Sequence, residues 1–342
     1  MRPLTPRRVA WICAGLGLVL FVVGVISLRM GAYPIVVTDI VKTLFSGAIG
    51  RWDDIPSGYR SIVFEIRLPR ILLGILVGAS LSTAGSGFQA LLRNPLADPY
   101  VLGVSSGAAL GAMISLIAVP HTPGAIQLAA FAGAAATTAA VYFLGRRGGQ
   151  LDSATLLLAG IVAASFLSAM IMFLITTMSG RDIRGVAFWL MGDLSTTLPS
   201  NPLPWFEGLF SVFVLAAGAI YATSSDLNLI LTGEQEARHL GVNVKRVKLV
   251  VYIAASVLTG LAVSVSGAIG YVGLLVPHLM RMMFGTDYRL LIPTSAIGGA
   301  ILVVLADTLA RTIVSPTELP VGAMTALAGA PVFIYLMRRR VR

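Results

Sequence analysis

Apolar, uncharged stretches follow one another along most of the chain, and polar residues gather in short segments between them. A hydrocarbon core of about 30 Å needs roughly 20 apolar residues of helix to cross it. Ranges 9–28, 71–92, 99–120, 125–144, 153–180, 208–225, 290–306 and 319–337 each meet or approach that length. The apolar range 249–280 is long for one crossing and short for two. Its middle, Ser266-Gly-Ala-Ile-Gly-Tyr-Val-Gly273, offers a break, and irregular backbone at membrane depth is tolerated where protein surrounds it. The pattern therefore predicts two helices there, near 249–267 and 271–284, and about ten membrane-spanning helices in one domain covering 1–342. The expected fold class is an all-α integral membrane protein.

Composition supports this reading and removes others. The 342 residues are 56% hydrophobic and 12% charged, about half the charged share of a soluble domain. The mean hydropathy of +0.87 excludes disorder and a water-soluble fold. Cys13 is the single cysteine, so neither an intrachain disulfide nor a cysteine metal site is possible. The net charge of +10 raises nucleic-acid binding. The basic residues come in short clusters between apolar runs, without a basic helix or an aromatic ladder, which excludes it.

Those clusters instead orient the spans. They are Arg2, Arg7 and Arg8; Arg146 and Arg147; Lys245, Arg246 and Lys248; and Arg338, Arg339, Arg340 and Arg342. Even numbers of crossings separate them if both termini are cytoplasmic. The segment 32–70 mixes both signs and reads as a loop. The apolar part of the N-terminal run is too long for a cleaved signal, so it reads as a retained helix.

Helix interiors are rich in Gly, Ala and Ser, which permits close helix packing in lipid. Arg70–Gly87 is similar to Lys248–Gly270, and Asp98–Ala112 to Asp287–Ala300. The two copies would start on opposite sides, an inverted repeat of the kind used by transporters.

Candidate chemistry is sparse. His121, His239 and His278 are far apart, and no Gly-Lys-Ser/Thr of a phosphate-binding loop occurs. The apolar runs are nearly free of the ionisable residues a proton relay needs, and Asp307 and Arg311 are spaced to pair as i,i+4. The chain is expected to bind no metal and no cofactor. Two connecting segments stand out. In Thr232–Gly241, Thr232 is placed to cap a short helix at 232–241 with acidic residues in its first turn and Gly241 at its end. Helical spacing puts Ala237 and Leu240 on one apolar face, suited to docking on something soluble. In Arg93-Asn-Pro-Leu-Ala-Asp-Pro99, Pro95 and Pro99 break helix while Asn94 and Asp98 favour turns. Taken alone, the first segment is equally a plain surface helix, and the second a plain connecting turn.

At these motifs the chain resembles the FecCD-type permeases, the membrane subunits of type II ABC importers for iron–siderophore complexes, haem and cobalamin. The segments that carry the resemblance are Arg67-Leu-Pro-Arg70, Gln89–Pro99, Leu102-Gly-Val-Ser-Ser-Gly107, Gly233–Gly241, Gly267–His278 with Arg281, Glu318-Leu-Pro-Val-Gly322 and Gly329-Ala-Pro331. They fall in family order from about Arg67 to Tyr335. The resemblance implies a type II ABC importer permease fold and a multi-pass protein of the bacterial inner membrane. It implies a homodimer, two ATPase subunits that carry ATP and Mg on their own chains, and one substrate-binding protein. The helix after Gly233 resembles the coupling helix, so Glu234, Glu236, Ala237, Leu240 and Gly241 would meet the ATPase. Arg67, Arg70 and Arg311 match arginines that face binding-protein carboxylates in the cobalamin branch. The turn with Asn94 and Leu96 resembles a cytoplasmic gate. Ser153 and Ala154 fall at its second element, where the family favours two hydroxyl residues.

The expected function is the non-enzymatic permease subunit of an ATP-driven importer of a bulky metal chelate, iron–siderophore or haem ahead of cobalamin. The competing reading is an ion-coupled secondary transporter of a small molecule, which would work without an ATPase.

Overall fold

The computed structural model describes residues 4–31, 33–51, 55–119, 122, 124–147, 150–177, 180–195, 202–314 and 317–340. His121 lies outside them. Helix α1 (Pro6–Arg29) starts at Thr5, whose hydroxyl accepts the Arg8 N–H, with Pro6 in the first turn. Residues 32–70 are not the open loop expected. They contain α2 (Val37–Ala48) and α3 (Ser57–Arg60), and α3 runs through wide π turns at Ser61–Arg67 into α4 (Leu68–Leu91). Val23, Leu28, Ile35, Ile40, Val63, Ile71 and Val304 form a separate apolar cluster that seats this segment. Its apolar positions are interrupted by mixed charges, which hid the helices from a search for membrane spans.

A 3-10 turn at Pro99–Leu102 and Gly103 precede α5 (Val104–Ala118), so the third span is a turn plus a short helix, not a continuous helix over 99–120. Gly103 has φ +74°, a conformation glycine adopts without Cβ strain. Helix α6 (Ala125–Leu144) matches its expected bounds. A two-residue hairpin, β1 (Arg146–Arg147) with β2 (Gln150–Leu151), leads to α7 (Ser153–Thr177) and a separate α8 (Gly180–Leu190). The remaining elements are α9 (Pro202–Ala222), α10 (Ser224–Thr232), α11 (Glu234–His239), α12 (Val244–Ser266), α13 (Val272–Phe284), α14 (Tyr288–Thr312) and α15 (Val321–Arg340).

Six of these helices (α1, α6, α7, α9, α12 and α14) are long and apolar enough to cross a membrane, and α5, α13 and α15 are shorter apolar helices. Helix α4, 24 residues long, completes ten. The break between α12 and α13 falls at 267–271, inside the expected stretch. It is packed in protein: the Tyr100 hydroxyl donates to Ile269 O and accepts Ile269 N–H, both at 3.0 Å, and Asp193 N–H donates to Ser266 O.

Helix α4 is the centre of the bundle. All its residues except Leu68, Leu72 and Ile75 are buried. It packs against α12, α13 and α14. Gly74 faces Val303 and Val304, Gly78 faces Gly299, and Arg70 reaches Asp307, so α4 and α14 run antiparallel. A Cβ on Gly78 would lie 2.2 Å from Gly299 O, and one on Gly85 would lie 1.9 Å from Gly273 O. These are backbone-to-backbone contacts with no room for a methyl group.

The order long helix, break, short helix, two long helices occurs twice, as α4 to α7 and as α12 to α15. This supports pairing Arg70–Gly87 with Lys248–Gly270. The second pairing is one element out of step. Asp98–Ala112 lies on the turn and helix that follow α4, whereas Asp287–Ala300 lies on α14, the second helix after α12. Low-complexity apolar sequence aligned across the wrong helix.

Gly78→Ala is expected to lower the thermal unfolding midpoint of the purified protein, at about 1–3 kcal/mol for overpacking. Gly218→Ala on α9, where nothing lies within 4 Å of an added Cβ, is expected to leave the midpoint unchanged or raise it. Differential scanning fluorimetry of the two variants checks both.

Candidate functional site

The candidate residues divide between the two ends of α4, which stand about 36 Å apart along its axis. At the N-terminal end are Arg67, Arg70 and Arg311. They do not face outward as expected: they are 4%, 6% and 7% exposed. Arg70 Nε pairs with Asp307 Oδ1 at 2.7 Å, and Arg70 Nη1 with Glu318 Oε2 at 2.7 Å. Arg311 Nε meets Asp307 Oδ2 at 3.0 Å, the i,i+4 pair that the spacing suggested, and its Nη2 donates to Ser27 Oγ. Arg67 donates to the carbonyls of Leu28, Arg29 and Tyr33, tying the π turns to the end of α1. Burial, then the nearby Arg311 charge, lowers the Arg67 pKa. The physical reason for the correction is charge balance. Asp307 on α14 sits between two guanidiniums, and such pairs hold together away from water. Glu318 is the half-exposed member of the group.

At the other end, α4 terminates in a Schellman motif. Arg93 N–H donates to Ala90 O and Asn94 N–H to Gln89 O. The residue in the left-handed position is Arg93, at φ +49°, where glycine is usual. Asn94 Oδ1 accepts Leu96 N–H at 2.9 Å, closing an Asx turn before Pro95 and Leu96. Leu96 is 43% exposed at its tip. Ser153, at the start of α7, donates to Leu91 O at 3.3 Å, and Ala154 beside it is exposed. The residues 94, 96, 153 and 154 are thus brought to one end of the bundle, with Ser153 touching the last turn of α4. Asp98 caps the following 3-10 turn through Tyr100 N–H, and burial pushes its carboxyl up to about 6.

The short helix differs from expectation in three respects. It spans Glu234–His239, and its N-cap is Gly233. Thr232 does not cap it, because its hydroxyl donates back to Leu229 O. Ala237 and Leu240 do not share a face: Ala237 is fully buried, while Leu240, the C-cap, is 65% exposed. Gly241, at φ +87°, ends the helix as expected in its own Schellman motif, Gly241 N–H to Arg238 O and Val242 N–H to Ala237 O. A soluble partner can touch Gln235, Glu236, Arg238, His239 and Leu240. It cannot reach Ala237.

Glu234 faces the bundle. Its Oε1 accepts Lys248 Nζ of α12 at 2.6 Å and lies 3.5 Å from Arg93 Nη2, which itself donates to Ile230 O at 3.0 Å. One carboxylate therefore joins the turn after α4, the short helix α11 and the first turns of α12. Arg93 was missed by sequence reasoning. The available signal was a cation directly after the last turn of α4, where basic side chains suit the exposed carbonyls. Lys248, assigned to an orienting cluster, is buried and paired here.

The signature segments also meet in space. Gln89 donates to the carbonyls of Gly273 and Leu274 and accepts from Arg281, which reaches Tyr288. Asp287, capping α14, accepts from Arg289 and Asn228, and the Arg289 hydrogen bond leads in holding its pKa down to about 2. His239 is exposed on α11 and His278 is buried on α13. Among the described residues no group of three or more His, Cys, Asp or Glu could hold a metal.

Asp307→Asn leaves Arg70 and Arg311 facing each other without a full counter-charge. The expected loss is about 3–5 kcal/mol, read as a large drop in the unfolding midpoint or in the yield of folded protein. Glu318→Gln removes a half-exposed partner and is expected to cost under about 1 kcal/mol. A Glu318 effect equal to that of Asp307 would overturn this ranking.

Comparison with known proteins places this geometry. The FecCD transport family matches residues 19–339. A cobalamin import system permease of Halobacterium salinarum is 44% identical over 286 residues, covering 84% of this chain and 76% of the relative. A hemin transport system permease of Yersinia pestis is 40% identical over 292 residues, covering 82% of this chain and 84% of the relative. Among solved structures, the inward-facing conformation of a putative metal-chelate type ABC transporter aligns at a TM-score of 0.81 with 29% identity, covering 96% of this chain and 99% of that one. Ten apolar helices around a small-residue centre, and a family match over nearly the whole length, identify the chain as a multi-pass ABC importer permease, a transport subunit without enzymatic activity of its own, belonging to the FecCD transport family.

Proposed function

We propose that this permease forms a homodimer, that two ATPase subunits dock on its α11 end and one substrate-binding protein on its Glu318 end, and that both termini are cytoplasmic. The cargo in this reading is a bulky iron chelate, a siderophore complex or haem. The metal-chelate title of the structural neighbour and the hemin relative support that class. The cobalamin relative supports cobalamin as the second reading. An ion-coupled mechanism draws no support: the buried charges lie toward the two ends of the bundle in pairs, Arg70 and Arg311 with Asp307 at one end and Lys248 with Glu234 at the other.

The observation that carries the proposal is the Arg93–Glu234–Lys248 junction. A helix that with its C-cap exposes five residues, held by a buried-side carboxylate to the turn after α4, is built to pass rigid-body motion from a docked partner to that turn. The turn carrying Asn94 and Leu96, with Ser153 and Ala154 beside it, is the proposed cytoplasmic gate. Glu236, Leu240 and Gly241 are the proposed ATPase-facing residues, and Glu234 transmits from behind them. ATP and Mg belong to the ATPase chains.

Reconstitution in proteoliposomes with candidate ATPase and binding-protein subunits tests this. ATP-driven uptake of a ferric siderophore, haemin or cobalamin is expected only with all components present. Glu234→Arg, which sets like charges against Arg93 and Lys248, is expected to cut uptake per ATP hydrolysed by about tenfold, equivalent to about 1.4 kcal/mol. Glu236→Arg is expected to weaken ATPase association without changing the unfolding midpoint of the isolated permease. Uptake by the permease alone, or full coupling in both variants, would refute the mechanism.

A further inference from the structure

Helices α6 and α12 run antiparallel. Gly260 touches Ala134 and Phe131 at one level, and the Tyr252 hydroxyl donates to Thr138 O further along. Between them lies an apolar cavity of about 480 Å³ lined by Ala135, Ala139, Phe143, Leu249 and Ile253 among others. That volume is in the range of ligand pockets. Phe143 and Ile253 are 68% and 50% exposed, so the cavity opens to the outside of the bundle, where acyl chains lie.

Two further observations give this groove chemistry. Tyr142 and Leu249 also line a second, polar cleft, together with Arg146, Lys245, Lys248 and Glu234. The groove and this cleft therefore adjoin, with Tyr142 and Leu249 at their common border. Glu234 is taken by Lys248. Arg146 lies over the Tyr142 ring at 5.3 Å, and among the described residues neither Arg146 nor Lys245 joins an ion pair. Among the described residues the groove mouth thus carries two exposed cations outside any ion pair, beside the Glu234–Lys248 pair. Inside the groove, the hydroxyls of Thr138 and Ser256 are buried without a hydrogen-bond partner, and Ser256 is 4% exposed. Their neighbours Thr137 and Thr259 return a bond to the carbonyl four residues earlier, as helix hydroxyls in lipid do. Thr138 and Ser256 leave their donors free to meet an acceptor from outside the chain.

We propose that this groove is a binding site for an anionic phospholipid, with an acyl chain between α6 and α12 and the headgroup phosphate at Arg146 and Lys245. Apolar lining at membrane depth fits the chain, and the two cations fit the phosphate. Basic pockets between membrane helices bind acidic headgroups on these terms. The headgroup would rest beside the Glu234–Lys248 pair, so the lipid borders the junction to α11.

The test uses the full-length chain in nanodiscs and phosphatidylglycerol with a photoactivatable acyl chain, the label mapped by peptide mass spectrometry. Phosphatidylethanolamine with the same chain is the control. Labelling of 131–143 and 249–260 is expected to be about tenfold stronger with phosphatidylglycerol, from two cations at the headgroup. Arg146→Gln with Lys245→Gln, both exposed positions, is expected to bring it down to the control level with the unfolding midpoint unchanged. Ala139→Trp, filling the groove, is expected to abolish labelling by both lipids. Excess inorganic phosphate is expected not to compete. Equal labelling by the two lipids, or displacement by phosphate alone, would overturn the proposal. So would disulfide formation between copies of an Ala139→Cys chain in a Cys13→Ser background, since it would show a second copy covering the groove.

Discussion

Close backbone approach along α4 is the constraint on which the rest of this structure depends. Lipid tails are as apolar as leucine, so helices in a membrane gain little by hiding apolar side chains from them, and associate through tight packing and polar ties. Helix α4 supplies both. Gly78 and Gly85 bring its backbone against those of α14 and α13, and Gln89 reaches the carbonyls at the start of α13. Because the helix is buried almost throughout, its two ends cannot move independently of α12 and α14.

The ends nevertheless differ in chemistry. At the start of α4 the charges form a closed group, Arg70 and Arg311 about Asp307, with Arg67 anchoring the wide turns to α1. Such an arrangement fixes the mutual positions of α1, α4 and α14. At the far end, the ties run through side chains at partly exposed positions: Arg93 to Ile230 and Glu234, and Ser153 to Leu91. Partly hydrated ties are weaker and reform readily. The bundle therefore has a locked end and a yielding end, the asymmetry that the proposed docking of a partner at α11 calls for.

Much of this was legible in the sequence. The spans stood out because lipid imposes a length and a composition, and the break near Ser266–Gly273 followed from a run too long for one helix. The helices α2 and α3 were hidden because their burial depends on Ile71 and Val304, far away in the chain. The arginines were misplaced for a related reason. A sequence shows that Arg70 is charged but not that Asp307 and Glu318 arrive beside it across more than two hundred residues. In α11 the caps shifted by one residue and the helix stopped at His239, which was enough to turn Leu240 away from Ala237. Residues 94, 96, 153 and 154, the proposed gate, were singled out through the family pattern. Arg93, between them and α11, has no pattern of its own, and its role depends on where Glu234 comes to rest.

The left-handed conformation of Arg93 has a mechanical consequence. A residue with a Cβ held at φ +49° sits above its relaxed state by an amount that only surrounding contacts offset. Here those contacts are the two Schellman bonds of the turn, Arg93 N–H to Ala90 O and Asn94 N–H to Gln89 O, and the side-chain ties to the Ile230 carbonyl and Glu234. While they hold, the turn is latched. If α11 carried Glu234 away, as the proposed mechanism requires, the same residue would favour release, and the turn would change shape at a threshold instead of bending in proportion to the push. A glycine in that position would make the turn easier to form and remove the latch.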